Sequence, residues 1–343
     1  TVAAAENAVQ NGCEVLVDTA FEAFLMEGKQ ITGVHTNRGD FRARWVVNAA
    51  GLNADFVMHQ AGVRPDFKIT PRRGEYCVLD QAEISINNVL FPVPSCGSKG
   101  ILVTATLHGN TIIGPNAELL DSEDHATSRA GIDEVTQGAL KLIPSINLRH
   151  VIATFAGLRA RGNARCETPG VNYDSDFIIE IPQEVRGLVN LGGIDSPGLT
   201  AAPAIARRVV ELMEDAGEKL AKKRDFEPIR PPRPRFRHLS KEEQTALIKS
   251  DPRYARVVCR CELVTEGEIV GEIHAPIPAR TYDAIKRRTW TGTGRCLGSF
   301  DMPRVVDILA RELGVSPLEI TKKGAGSEFL YRTTKEVEAQ HGA

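Results

Sequence analysis

The stretch Val189-Asn-Leu-Gly-Gly-Ile-Asp-Ser-Pro-Gly-Leu-Thr200 decides the fold. It begins with short apolar residues, which predict a buried strand, and the apolar residues from Ala201 to Met213 then recur at helical spacing. Gly192 and Gly193 allow a sharp backbone turn between the two elements. Such a turn directs unpaired N–H groups and the positive end of a helix at one place. The stretch therefore predicts a seat for an anion or an electron-rich ring, with tight packing as the alternative.

Composition limits the classes of protein to consider. The 343 residues suffice for two or three domains, and 42% hydrophobic with 25% charged residues is typical of a globular protein. A net charge of -2 gives no basis for binding nucleic acid. No apolar run approaches the roughly 18 residues that a transmembrane segment needs. Seven cysteines, an odd number, do not resemble a secreted disulfide framework, so we expect the cytoplasm, including the inner face of its membrane.

The chain before the glycine-rich stretch predicts α/β pieces with antiparallel strands inserted between them. A helix is expected from the first residues to Asn11, without a signal peptide, and a chain that opens inside a helix suggests that a segment is missing upstream. Strands are predicted at 13–19, 21–26, 31–36, 40–44, 45–51, 77–80, 88–93, 100–107, 111–114, 150–161 and 177–181, and helices at 54–61 and 132–142. The antiparallel strands would form a second layer that covers a cofactor domain.

A proline- and arginine-rich segment separates this region from the rest. Residues 225–237 hold four prolines and four arginines, which predicts an extended linker with its arginines in solvent. A helix then opens with the capping box Ser240-x-x-Glu243. From Val257 onward, Cys259-Arg-Cys261 precedes three predicted helices, and Gly314 ends the last of them.

Several of these motifs together carry a resemblance. Residues 7–12, 46–55, 71–76, 156–159 and 190–203 resemble the glycine-oxidase/D-amino-acid-oxidase superfamily of FAD-dependent oxidoreductases, in the branch similar to anaerobic glycerol-3-phosphate dehydrogenase and L-2-hydroxyglutarate dehydrogenase. Residues 259–314 resemble the small BFD-like [2Fe-2S] domain found at that family's C-terminus.

The resemblance implies an α/β (α+β) fold with four parts. They are a partial FAD-binding Rossmann-like domain with an antiparallel-sheet substrate domain (1–224), a linker and helix (225–256), a small helical BFD-like domain (257–314) and a tail (315–343). The residues implied to lie near FAD are Ala49, Ala50, Gly51, Gly192, Gly193, Ser196, Gly198, Leu199 and Thr200. Arg159 matches the family's arginine for the substrate anion, and Arg73 is a second candidate.

Two features depart from the family pattern. The G-x-G-x-x-G turn that holds the FAD pyrophosphate does not follow a strand here, so we expect a family member lacking roughly its first 150 residues, as a fragment or as a chain whose partner subunit supplies the turn. The second departure is in the cluster ligands, where the family's fourth cysteine is replaced by Asp301 after Cys259, Cys261 and Cys296. Three interpretations remain open: an Asp-ligated [2Fe-2S] cluster, a lost cluster in a retained fold, or a zinc site.

The function implied is an FAD-dependent dehydrogenase that oxidises glycerol 3-phosphate or a related small 2-hydroxy acid. Its electrons would pass through flavin, and through the cluster where one forms, to a redox subunit or a quinone. One alternative is an amine- or amino-acid-oxidising relative of the same fold. Another is a non-catalytic fragment or scaffold whose C-terminal domain only mediates subunit contact.

Overall fold

The computed structural model describes residues 1–93, 100–107, 109–162 and 176–334. The chain divides into two compact units, Val17–Lys222 and a second unit that combines Thr1–Leu16 with the chain from Lys223 onward. The boundary at Lys223 lies next to the sequence-based division at residue 224. The N-terminal helix, however, groups with the C-terminal part of the chain.

The predicted mixture of helix and sheet is confirmed. The helices of the described residues are α1 (Val2–Gln10), α2 (Ala54–Gln60), α3 (Arg129–Leu142), α4 (Gly198–Asp215), α5 (Lys241–Ser250), α6 (Glu266–Ile273), α7 (Tyr282–Thr289) and α8 (Met302–Leu313). The strands are β1 (Phe21–Glu27), β2 (Gln30–Thr36), β3 (Gly39–Arg42), β4 (Val46–Asn48), β5 (Ile69–Leu79), β6 (Leu102–Ala105), β7 (Thr111–Gly114), β8 (Glu118–Leu119), β9 (Val151–Gly162), β10 (Ile178–Glu180), β11 (Leu188–Gly192), β12 (Val257–Cys259) and β13 (Val264–Thr265).

Three sheets build the unit Val17–Lys222. They are the meander β1-β2-β3, the sheet β10-β11-β4 and the sheet β6-β7-β5-β8, in which β9 also pairs with β5. Within the described strands, β11 and β4 form a parallel pair, and every other pairing is antiparallel. The parallel pair places the ends of β4 and β11 at one edge, where ligands bind in open α/β sheets.

The long antiparallel pair β5–β9 positions the candidate substrate residues. Its register runs from Ile69 opposite Gly162 to Leu79 opposite Val151, with Arg72 directly opposite Arg159. Helix α3 covers this sheet, and buried apolar residues from α3 and the strands form one core between them. That core fixes the two strands and therefore the line of side chains along them.

Ion pairs fasten the N-terminal helix and the linker within the second unit. Glu6, only 2% exposed, accepts hydrogen bonds from Arg230 at 3.1 Å and from Arg233. Arg233 also contacts Glu272 at 2.8 Å, and other linker arginines make similar contacts. The expectation that the linker arginines lie in solvent was wrong, because carboxylates, and for one arginine a backbone carbonyl, from distant parts of the chain accept their hydrogen bonds.

The C-terminal part of this unit is a small helical bundle. Helices α6, α7 and α8 share one apolar core, which includes Ile269, Ile285 and Leu309. The predicted capping box of Ser240 and Glu243 is present, and Gly314 ends α8 with a φ of 67°. Local sequence therefore set the helix ends, as the capping residues predicted.

Two strand predictions were wrong. Residues 13–19 form no strand, and Val15, Leu16 and Val17 are 42–51% exposed. Residues 88–93 contribute only an isolated bridge from Leu90 to Val103. Both stretches have strand-like composition, but a strand also needs a neighbour to receive its backbone hydrogen bonds, and the described residues supply no continuous one.

Candidate active site

The glycine turn forms as the sequence predicted. Strand β11 ends at Gly192, helix α4 begins at Gly198, and Gly193 adopts a φ of 63° that favours glycine. A Cβ on Gly192 would lie 2.8 Å from the Phe67 ring, and one on Gly198 would lie 2.6 Å from Cγ2 of Ile194. The turn therefore depends on residues without side chains at both positions.

Two cavities adjoin this turn and hold most of the predicted FAD residues. The first, of about 560 Å³, is lined by Gly51, Ser196, Gly198, Leu199 and Thr200 together with Tyr76 and Arg159. The second, of about 460 Å³, is lined by Ala49, Gly51 and Gly198 with apolar residues of β11 and α4. Ala50 lies between two lining residues, and its N–H donates to Asn48. Gly192 and Gly193 do not line either cavity among the described residues.

This edge of the sheet has the composition that a flat cofactor requires. Ala49, Gly51 and Gly198 expose backbone to the cavities, and Gly51 adopts a φ of 60°. Helix α4 begins at the shared edge of both cavities, so the positive end of its dipole lies there, although the N–H groups of Gly198 and Thr200 donate to preceding backbone carbonyls. We call this edge, formed by Ala49, Gly51 and Gly198, the glycine cradle, and the first cavity the cradle cavity. Larger side chains would fill the space, so these residues fit an isoalloxazine or its ribityl chain.

Arg159 stands between this cradle and a third cavity of about 360 Å³, since it lines both. Its Nη2 donates to the carbonyl oxygens of Asn116 at 2.8 Å and Arg73 at 3.3 Å. No carboxylate of the described residues forms an ion pair with it. Burial lowers the pKa of its guanidinium, and nearby Tyr76 and Asp195 oppose that shift. A partly buried cation bonded only to neutral carbonyls can bind an anion in the cavity.

Arg73 is engaged elsewhere. Its guanidinium is 5% exposed and forms ion pairs with Glu118 at 2.7 Å and Asp124 at 2.8 Å. It also donates to the carbonyl of Ala126. Among the described residues that line the third cavity, Arg72 and Arg159 are present but Arg73 is not. Arg72 and Arg73 are neighbours in β5, so their side chains point to opposite faces of the sheet.

A buried network behind Arg159 has no counterpart in the sequence analysis. Glu75 is fully buried, and its carboxylate accepts from Asn116 Nδ2 at 2.8 Å and from the N–H of Ser128, the N-cap of α3. The N–H of Glu75 in turn donates to Asn116 Oδ1 at 2.8 Å. Glu75 thus fixes both ends of the Asn116 side-chain amide. The backbone carbonyl oxygen of Asn116 accepts a hydrogen bond from Arg159. The signal in the sequence that could have identified Glu75 is a charged residue directly after Gly74 inside a predicted strand.

Tyr76 was also missed as a site residue. It lines both the cradle cavity and the third cavity, and its ring stacks on Phe155 with centroids 4.8 Å apart. Burial raises the pKa of its hydroxyl, which keeps it a neutral hydrogen-bonding group, while the charge of Arg159 acts in the opposite direction. His108, Cys96 and Cys166 lie outside the described residues.

The cysteine motif of the second unit forms a separate group. Cys261, Cys296 and Asp301 line a cavity of about 570 Å³ with Arg260, Arg295 and Arg304. Cys259 is fully buried nearby, and burial raises the pKa of its thiol to about 12, with a contribution from Asp301. In the described chain, no three or more His, Cys, Asp or Glu side chains converge on a point that would hold a single metal ion.

Comparison with known proteins agrees with this geometry. The FAD dependent oxidoreductase family model matches residues 1–212, and the BFD-like [2Fe-2S] binding domain matches residues 257–311. A glycerol 3-phosphate dehydrogenase of Caloramator mitchellensis is 41% identical over 98% of this chain, and the chain covers 68% of that protein.

Solved structures of related proteins share this fold, among them two that contain FAD. An FAD-bound L-alpha-glycerophosphate oxidase of Mycoplasma pneumoniae shares 33% identity, with a TM-score of 0.55 over 64% of this chain and 56% of its own. The FAD-complexed glycerol-3-phosphate dehydrogenase of Bacillus halodurans shares the fold at 15% identity, with a TM-score of 0.62 over 92% of this chain and 68% of its own. The predicted resemblance is confirmed: this chain belongs to the family of FAD-dependent oxidoreductases and carries a BFD-like [2Fe-2S] binding domain.

Proposed function

We propose that this chain provides the substrate-binding and electron-relay parts of an FAD-dependent dehydrogenase that oxidises glycerol 3-phosphate. The observation that carries the proposal is the position of Arg159, which lines both the cradle cavity and the third cavity and has no ion-pair partner among the described residues. The relatives that act on glycerol 3-phosphate support this substrate. A small 2-hydroxy acid is the alternative, since its carboxylate would also suit Arg159.

The cofactor-binding part of the proposal assigns each residue a task. Ala49, Ala50 and Gly51 would lie along the cofactor chain, and the turn from Gly192 to Thr200, which includes Ser196, would lie at the ring. When bound, FAD accepts a hydride from the carbon that bears the hydroxyl. The N–H groups at the start of α4 would stabilise negative charge at that place.

The substrate would be held by its anionic end. Arg159 would bind the phosphate in the third cavity, while Tyr76, which lines both cavities, would orient the part of the substrate nearer the cradle. Because Arg73 already has two carboxylate partners, we assign it to the support of the β5 edge and not to the substrate.

Electrons would leave through the BFD-like domain to an acceptor, for which we propose a redox subunit or a quinone. No helix in the described parts of the chain combines the length and apolar character that crossing a bilayer requires. We propose a cytoplasmic location, including the inner face of the membrane, because an odd number of cysteines is not the pattern of a secreted disulfide framework.

The test compares substrates on the FAD-loaded protein with a dye that takes electrons directly from flavin. We expect the highest kcat/KM with glycerol 3-phosphate, lower values with 2-hydroxy acids, and the lowest with amino acids. A higher value with a hydroxy acid or an amino acid would overturn the substrate assignment. No turnover by FAD-loaded protein with any of them would favour the scaffold alternative.

A further inference from the structure

Asp301 has an unusual environment for an aspartate. It is 1% exposed, and its Oδ2 has no hydrogen-bond partner in the part of the chain that the structure describes. It occupies the N-cap position of α8, where an aspartate normally accepts a backbone N–H, but here its side chain makes no capping hydrogen bond. A buried carboxylate oxygen without a partner is costly, so something outside the protein chain is expected to bind it.

Tyr282 fixes the other oxygen of this carboxylate. Its hydroxyl donates to Asp301 Oδ1 at 3.1 Å. The hydroxyl lies so close to Gly292 and Gly298 that a Cβ on either would be 2.4 or 2.3 Å from it. The loop before α8 is therefore shaped around this hydroxyl. The contact holds the carboxylate in one orientation and leaves Oδ2 available.

Two cysteines of the motif, Cys261 and Cys296, line the same cavity as Asp301. The third, Cys259, is fully buried at the end of β12, just before Cys261 in the chain. Gly294 allows close approach here, because a Cβ on it would lie 2.5 Å from Cβ of Cys261. A binuclear cluster needs two protein ligands on each iron, whereas a zinc ion needs its ligands around one point. Among the described residues no three such side chains meet at one point, which favours the binuclear case over zinc.

Positive charge around the cavity makes an anionic site tolerable. Arg260, Arg295 and Arg304 line the cavity together with Cys261, Cys296 and Asp301. Three thiolates and a carboxylate would carry more negative charge than the iron–sulfide core balances. Arginines close to such a site offset this charge and favour the ionised ligands.

We propose that Asp301, through Oδ2, is the fourth ligand of a [2Fe-2S] cluster whose other ligands are Cys259, Cys261 and Cys296. Tyr282 is the positioning residue that orients the carboxylate. This inference deepens the electron-relay part of the proposed function and selects one of the three interpretations that the sequence left open. The carboxylate oxygen is a harder ligand than the thiolate it replaces, so the cluster will differ spectroscopically from one with four cysteines.

The experiment uses the whole chain, reconstituted anaerobically with iron and sulfide, and measures both elements alongside visible circular dichroism and the electron paramagnetic resonance of the reduced protein. We expect wild type to bind two irons and two sulfides, the stoichiometry of the cluster. Asp301→Ala should lose most of this iron. Asp301→Cys should keep it with an altered spectrum, which also shows that the loop still folds. Tyr282→Phe should keep the iron but change the resonance signal.

Asp307→Ala is the matched control, because Asp307 is an exposed aspartate on α8. It should leave iron content and spectrum unchanged. The proposal is overturned if Asp301→Ala keeps the wild-type spectrum or if wild type binds a single zinc. It is also overturned if wild type forms no cluster, whether or not Asp301→Cys forms one under the same conditions. Dehydrogenase activity with a flavin-reactive dye reports on the proposed function separately.

Discussion

Gly74 faces the guanidinium of Arg159 so closely that a Cβ built on the glycine would lie 2.9 Å from Nη2. The strand partner of Gly74 is Gly157, where an added Cβ would meet nothing within 4 Å. Although Gly74 and Gly157 are paired across β5 and β9, only Gly74 lies where a side chain would contact Arg159. Gly74 provides the space in which Arg159 reaches the carbonyl of Asn116.

This difference predicts the effect of alanine at each position. Gly74→Ala should displace Arg159 and raise KM for the anionic substrate about tenfold, since overpacking at such a contact costs about 1–3 kcal/mol. Gly157→Ala is the matched control and should leave KM nearly unchanged. Steady-state kinetics of both variants checks the prediction, and equal KM values would contradict it.

Removing the charge of Arg159 should weaken substrate binding directly. We expect Arg159→Met to lower kcat/KM about 10- to 150-fold, because a hydrogen bond to a charged group contributes about 1.5–3 kcal/mol. Arg208→Met is the control, since Arg208 is 49% exposed on α4 in a surface pair with Glu211. Calorimetric titration with glycerol 3-phosphate should show the same loss, and unchanged affinity would remove Arg159 from the substrate site.

Glu75 should act on the substrate only through Asn116. In Glu75→Gln the amide can no longer accept all of its present hydrogen bonds, so we expect a loss of about 1–3 kcal/mol in stability. KM should rise while kcat changes little, because the carbonyl that anchors Arg159 shifts. The exposed Glu123 provides the control, Glu123→Gln. A fall in kcat at constant KM would argue against this positioning role.

Cys77 should be inert to alkylation although it is a free thiol. Burial raises its pKa to about 11 from an ordinary value near 9, and the charge of Glu75 adds to the shift. Its thiolate fraction at pH 8 is then about 0.001 and rises tenfold per pH unit up to about pH 11. Mass spectrometry after iodoacetamide treatment should show the exposed Cys13 labelled about a hundredfold faster or more. Equal rates would contradict the burial of Cys77.

Glu6 should hold helix α1 against the linker. Glu6→Gln weakens the contacts to Arg230 and Arg233, and we expect a cost of about 1–3 kcal/mol because both arginines are partly exposed. Hydrogen exchange of the α1 amides should accelerate in this variant. Glu14→Gln, at an exposed position, should leave exchange unchanged. The prediction fails if both variants protect α1 as wild type does.

Local features of the fold were predictable because they depend on neighbouring residues. Helical spacing placed α3 and α4, the capping boxes and Gly314 set helix ends, and paired glycines marked the turn after β11. The absence of a strand at 13–19 was not predictable in this way. The composition of this stretch favours a strand, but a strand also needs a neighbour for its backbone hydrogen bonds, and the described residues supply none.

The sequence by itself determined the family, the order of the elements and the residue types at the site. Only the tertiary structure separated Arg159 from Arg73, because pairing across β5 and β9 leaves Arg159 at a cavity while Glu118 and Asp124 neutralise Arg73. The tertiary structure alone also showed that Oδ2 of Asp301 is buried without a hydrogen-bond partner among the described residues. Spacing and local conformation can be read from neighbouring residues in the sequence. The partner of a charged side chain cannot, because it lies dozens of positions away and becomes a neighbour only when the chain folds.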